Sequence, residues 1–146
     1  MKIVADEVFD EFKETLNQKN ILIENEITQA IVLQGNYSLL YALVRNLVEN
    51  SIKYGGTKTT VHLSCEKKKE FWQFTFYDTG VGTGEEDLPH IFERFYRSPK
   101  QMSVSNDGSG LGLSIVRNAV VFHHGEINAQ NRKEGGLMFV FTLAVG

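Results

Sequence analysis

Apolar positions along the chain fall into alternating helical and strand periods. Residues 5–19, ADEVFDEFKETLNQK, space them three and four apart, which predicts an amphipathic helix. ILIENEI (21–27) and AIVLQ (30–34) predict two short strands joined by a tight reversal. Asn36 is a candidate cap for a long apolar helix reaching Tyr54, with Gly55-Gly56 as its stop. KTTVHLSCE (58–66) alternates Val61, Leu63 and Cys65 against His62, Ser64 and Glu66, a strand signature. After a charged KKK turn, EFWQFTFYD (70–78) predicts another strand. LGLSIVRNAVVFHH (111–124) predicts a helix stopped by Gly125, while GEINAQN (125–131) and GLMFVFTLAV (136–145) predict a closing strand pair.

Helices and strands therefore mix without strict β-α-β alternation. That order predicts an α+β fold, a two-layer α/β sandwich. Its sheet is mixed and mainly antiparallel, of about five strands with a short N-terminal hairpin contribution, packed on three helices. Residues 79–109 carry little periodicity, and a connection of that length in a compact domain is usually functional or mobile. The 146 residues suit one domain, 1–146. A net charge of −3 gives no electrostatic case for nucleic acid or an anionic membrane surface. Cys65 is the one cysteine, so an internal disulfide and a cysteine-based metal site are excluded, and a reduced, cytoplasmic setting fits. No apolar run is long enough to enter a membrane as a helix.

Three local patterns carry candidate chemistry. In NDGSGLGLSIV (106–116), Gly108, Gly110 and Gly112 alternate before an apolar run. The dinucleotide fingerprint fails because Leu113 stands where its third glycine belongs, and the P-loop fails for want of G-K-[ST]. Glycines still let a backbone approach an anion, and the following helix would offer free N–H groups; a merely flexible helix entry is the competing reading. Asn46, Asn50 and Lys53 lie at i, i+4 and i+7, on one stripe of the long helix. Carboxamide oxygens suit Mg²⁺ once triphosphate supplies the negative charge, and an ammonium suits phosphate; the competing reading is a solvated stripe. Asp78 continues the face of Trp72, Phe74 and Phe76, where an unpartnered carboxylate would be costly. Gly80 and Gly82 follow at once. The competing reading is an aspartate opening an exposed turn.

Taken together, these pieces resemble the ATP-binding catalytic domain of sensor histidine kinases, in the superfamily of gyrase, heat-shock chaperone and mismatch-repair ATPases. NLVENSIKYGG (46–56) resembles the N box, DTGVG (78–82) the first glycine box, LPHIFERFYR (88–97) the F box and GSGLGL (108–113) the second glycine box. The resemblance implies ATP and Mg²⁺ as cofactors. Asn50 would coordinate Mg²⁺ with Asn46 helping, Lys53 would reach phosphate and Tyr54 would lie against the nucleotide. Asp78 would accept the adenine amino group, with Gly80 and Gly82 lining that pocket. Phe92 and Phe95 would be the F-box aromatic pair. Residues 96–109 would form an ATP lid, in which Arg97 would meet the terminal phosphate. Gly108, Gly110, Leu111 and Gly112 would meet the phosphates at the start of the next helix.

The gyrase and chaperone branches carry a general-base glutamate four residues before the metal asparagine. Here that residue is Asn46, so efficient hydrolysis by water is not expected. Glu49 lies about 60° round the helix and is not assigned that role. Two positions depart from the family pattern: Thr83 replaces an apolar residue, and Leu137 stands where the family often has threonine, so a hydroxyl supporting Asp78 is missing. None of His62, His90, His123 and His124 precedes an acidic residue, and all are read as structural or solvated. The resemblance thus implies a domain that donates phosphoryl to a histidine on an absent dimerisation hairpin, with a response regulator receiver downstream. The parent would be anchored in a bacterial inner membrane. Two alternatives are a stand-alone anti-sigma-factor serine kinase of the same superfamily and a non-catalytic nucleotide-binding interaction module.

Overall fold

The computed structural model describes residues 1–27, 31, 33–97 and 111–145. Its N-terminal helix starts earlier than the sequence periodicity suggests and is broken: α1 spans Lys2–Glu11 and α2 spans Lys13–Gln18. Phe12, at φ −95° and ψ 4°, marks the break. Its N–H still bonds to the Val8 carbonyl and its own carbonyl receives the Leu16 N–H, so the chain kinks without unwinding. The Arg45 guanidinium lies 5.4 Å from the Phe12 ring and covers the kink.

β1 is Leu22–Asn25, and among the described residues it has no hairpin partner. It runs parallel to β2 (Thr60–Lys67), with Leu22 opposite Thr60 and Asn25 opposite Leu63. Residues 31, 33 and 34 are not in a strand, and 28–30 and 32 lie outside the described residues. The cause is local. The Asn25 side-chain oxygen accepts the Ile27 N–H at 3.0 Å, an Asx turn that takes the chain off the sheet. Ile27 and Ile31 then bury in the core.

α3 spans Tyr37–Tyr54, as its pattern predicts. The Asn36 side chain accepts the Leu39 N–H at 3.0 Å, which satisfies one of the free first-turn donors. Leu40, Leu43, Val44, Leu47, Val48, Ser51 and Ile52 form its buried face. β3 (Phe71–Asp78), β4 (Ile127–Asn131) and β5 (Leu137–Ala144) complete a five-stranded sheet in the order β1-β2-β3-β5-β4. Every pairing except β1–β2 is antiparallel. A 3₁₀ turn, Leu88–His90, and the helix α4 (Gly112–Phe122) precede β4.

One face of the sheet carries Phe74 and Phe76 from β3 and Phe139 and Phe141 from β5, all fully buried. Phe74 and Phe141 stack at 5.1 Å between centroids. Burying each such ring stabilises the fold by about 1.5–3 kcal/mol. α3 and α4 pack on each other over this face, and α1 packs on α3. His123 fixes the two helices end to end. Its Nδ1–H donates to the Ala119 carbonyl at 2.7 Å, and its Nε2 accepts the Asn36 N–H at 3.0 Å. Gly35 leaves the room: a Cβ there would lie 2.7 Å from that Nε2. His123→Leu should therefore strand the Asn36 N–H and destabilise the fold by about 1–3 kcal/mol, measured by urea unfolding. A change within error would mean that the imidazole is not the tie.

Candidate functional site

The C-terminal end of α3, the end of β3 and the start of β5 converge on one cleft. It is lined by Asn50, Tyr54, Gly55, Asp78, Gly82, Thr83 and Leu137. Its open space is about 260 Å³. That figure includes space open to solvent, so the cleft is a surface depression and not an enclosed cavity. Asn50, from the polar stripe, and Asp78, from the aromatic strand, thus open on the same space.

Asp78 is 3% exposed, so the sequence expectation that it faces inward holds, and the exposed-turn reading does not. Three donors meet its carboxylate. Oδ1 accepts the Gly80 N–H at 2.9 Å and the Leu137 N–H at 3.4 Å. Oδ2 accepts the Ser51 hydroxyl at 2.9 Å. The hydroxyl absent from position 137 is therefore supplied from α3. Sequence reasoning passed over Ser51, although a serine on an otherwise apolar face, one residue after Asn50, was a usable signal.

The loop after Asp78 is closely fitted. A Cβ on Gly80 would lie 2.0 Å from the Gly55 carbonyl oxygen, so Gly80 lets strand and helix ends touch. Gly82 lines the cleft at φ +70°. Asn131, also missed from sequence, clamps this loop from the end of β4. Its side chain accepts the Thr83 N–H at 2.9 Å and donates to the Thr83 carbonyl at 2.7 Å. The Thr83 departure is thus accommodated through its backbone.

Around the cleft the other expected residues divide. The Asn46 Nδ2 donates to the Ala42 carbonyl at 2.7 Å, and its Oδ1 lies 3.1 Å from where a Cβ on Gly112 would be. The polar stripe therefore meets the first turn of α4, whose leading N–H groups have no helical partner. Leu111 caps that helix, and its carbonyl accepts the Ser114 hydroxyl at 2.7 Å. Lys53 does not line the cleft; its ammonium pairs with Glu49 at 2.9 Å. Glu49 also pairs with Arg45 at 2.9 Å. Gly108, Gly110 and residues 98–109 of the expected lid lie outside the described residues.

Phe92 and Phe95 diverge. Phe92 packs edge-on against Phe139 at 6.1 Å, while Phe95 is 65% exposed at φ 66° with the Arg94 guanidinium 5.3 Å from its ring. The Tyr96 hydroxyl donates to the buried Asp87 carboxylate, which fastens this segment to the loop before it. Arg97 follows, half-buried. Among the described residues no cluster of three His, Cys, Asp or Glu could hold a metal alone. The cleft offers the neutral oxygen of Asn50, which fits Mg²⁺ in company with ligand oxygens and water. Among the described residues no helix is long and apolar enough to cross a membrane.

Comparison with known proteins places the fold among solved structures. Residues 35–146 match the family described as histidine kinase-, DNA gyrase B-, and HSP90-like ATPase. The phosphate regulon sensor protein PhoR of Haemophilus influenzae is 35% identical over 128 residues, covering 88% of this chain and 30% of PhoR. The chain thus spans under a third of the length of that relative. Among solved structures, the catalytic domain of histidine kinase ThkA superposes with a TM-score of 0.84 at 24% identity, covering 99% of this chain and 92% of that one. ThkA has also been solved with the response regulator protein TrrA, with a TM-score of 0.79 at 23% identity, covering 100% and 40%. Full-length ShkA in complex with AMPPNP has a TM-score of 0.77 at 22% identity, covering 98% and 30%.

The Tyr96–Asp87 bond gives a measurable signature. The hydrogen bond to Asp87 pushes the Tyr96 phenol up from 10.0 to about 12. A raised folded-state value means that the bond stabilises the fold fully below pH 10.0 and loses hold as pH rises through about 12. A phenolate absorbance titration should find this late-ionising tyrosine, and Asp87→Asn should return it towards the ordinary value.

Proposed function

This chain belongs to the histidine kinase-, DNA gyrase B- and HSP90-like ATPase family, and from that premise we propose that it binds Mg-ATP and donates the terminal phosphoryl group to a histidine on a separate domain. The observation that carries the proposal is the cleft itself, which brings the buried Asp78 carboxylate and the Asn50 carboxamide together. Asp78 retains acceptor capacity for an exocyclic amino group, and Tyr54 provides a flat wall beside it. Asn50 would hold Mg²⁺, which supplies charge neutralisation on the phosphates when bound. The first turn of α4, reached through Gly112 and Asn46, offers N–H groups to phosphate oxygens. Lys53 needs only to exchange Glu49 for a phosphate.

Asn46 is an amide and cannot usefully take a proton from water, so this cleft favours transfer over hydrolysis. In that transfer the bond from the γ-phosphorus to its bridging oxygen breaks, a phosphorus–nitrogen bond forms on imidazole, and ADP leaves. Two of the chain's own histidines, His123 and His62, are poorly placed to accept. Both ring nitrogens of His123 are engaged, and His62 stacks on Tyr77 at 4.6 Å beside Glu24 and Glu26. A histidine-bearing dimerisation domain is therefore the proposed acceptor, and a response regulator receiver the proposed recipient. Sensor proteins among the relatives and the ThkA–TrrA complex support both assignments.

Calorimetric titration with ATP, with and without Mg²⁺, tests the proposal. Asp78→Asn turns an acceptor into a donor and should weaken ATP by about ten- to a hundredfold, equivalent to about 1.5–3 kcal/mol. Equal affinity in parent and variant would remove the base-binding assignment. Asn50→Ala should abolish the gain in affinity that Mg²⁺ gives; a surviving gain would move the metal site elsewhere.

A further inference from the structure

An ionised carboxylate has two oxygens with about four lone-pair directions between them. Oδ1 of Asp78 uses both of its own on the Gly80 and Leu137 amides, at 2.9 and 3.4 Å. Among the described residues Oδ2 has one protein donor, the Ser51 hydroxyl at 2.9 Å, so one direction on Oδ2 remains. The two amides act as a pivot, and Ser51 stops the carboxylate turning about its Cβ–Cγ bond. Ser51 is itself buried, being 1% exposed and one residue past Asn50 in α3.

The alternative source of such a hydroxyl is visible in the sheet. β3 and β5 pair antiparallel with Tyr77 opposite Met138, so the next pair along is Asp78 opposite Leu137. Both side chains are buried and both line the cleft. A hydroxyl at position 137 would reach the same carboxylate across the strands, whereas leucine offers none. In this chain the hydroxyl donor stands on the helix side of the aspartate.

We propose that Ser51 is a positioning residue that sets the purine preference of this cleft. It aims the open direction of Asp78 Oδ2 at an exocyclic amino group. A base bearing a carbonyl at the same ring carbon sets oxygen against oxygen and is rejected, since neither acceptor finds a proton. The inference rests on the nucleotide reading above.

The test uses the whole chain, titrated with ATP and with inosine triphosphate, whose base carries a carbonyl in place of adenine's amino group. Ser51→Ala should weaken ATP by about five- to twentyfold and leave inosine triphosphate unchanged, so the preference between them collapses. Leu137→Thr added to that variant should restore most of the preference from across the strands. Ser51→Cys keeps the volume with a weaker donor and should fall between, which preserves the test if the alanine variant does not fold. An equal loss for both nucleotides, or no loss, would reduce Ser51 to packing and overturn the assignment. Failure of Leu137→Thr to restore the preference would overturn it as well. If the parent chain itself does not bind ATP, the nucleotide reading falls first, and this inference falls with it.

Discussion

The structure depends on burying a carboxylate at the end of an aromatic strand. Phe74 and Phe76 are packed to full burial, and the pleat places Asp78 next on that face. A carboxylate so placed must be met by donors, and they come from three parts of the chain: Gly80 just beyond it, Leu137 across the sheet and Ser51 on α3. Satisfying Asp78 therefore fixes the end of the long helix, the first glycine loop and the start of β5 relative to one another. The cleft is the space left between them.

Much of this was legible in the sequence because it followed from periodicity. The alternation at Val61, Leu63 and Cys65, the aromatic face of β3, and the Asn36 cap with Gly55 as stop each predict an element that the structure contains. The inward turn of Asp78 followed from counting by two. The hairpin at 21–34 failed because apolar residues there were read as strand. The Asn25 side chain instead bends the backbone away, and Ile27 and Ile31 serve the core. Helix against strand in a short apolar run is decided by such side-chain turns and by tertiary contacts, which periodicity does not carry.

The site was legible in part for a similar reason. Spacing along one helix placed Asn46, Asn50 and Lys53 on a common stripe, but spacing cannot say which neighbour each side chain chooses. Lys53 chooses Glu49, and Asn46 the Ala42 carbonyl and the start of α4. Asn131 and Ser51 escaped notice because their partners, Thr83 and Asp78, are 48 and 27 residues away in the chain. Contacts of that kind become visible only once the sheet is assembled.

The ion pairs along α3 carry a last consequence. Glu49 holds Arg45 and Lys53 together, and Arg45 also reaches Glu11 of α1 at 3.3 Å. Among the described residues beside the cleft, the Lys53 ammonium is therefore already paired. A monovalent anion arriving there gains little, because it must displace one negative partner to become another. A guest of higher valence would offset that exchange, so the pairing would favour anions of high charge density.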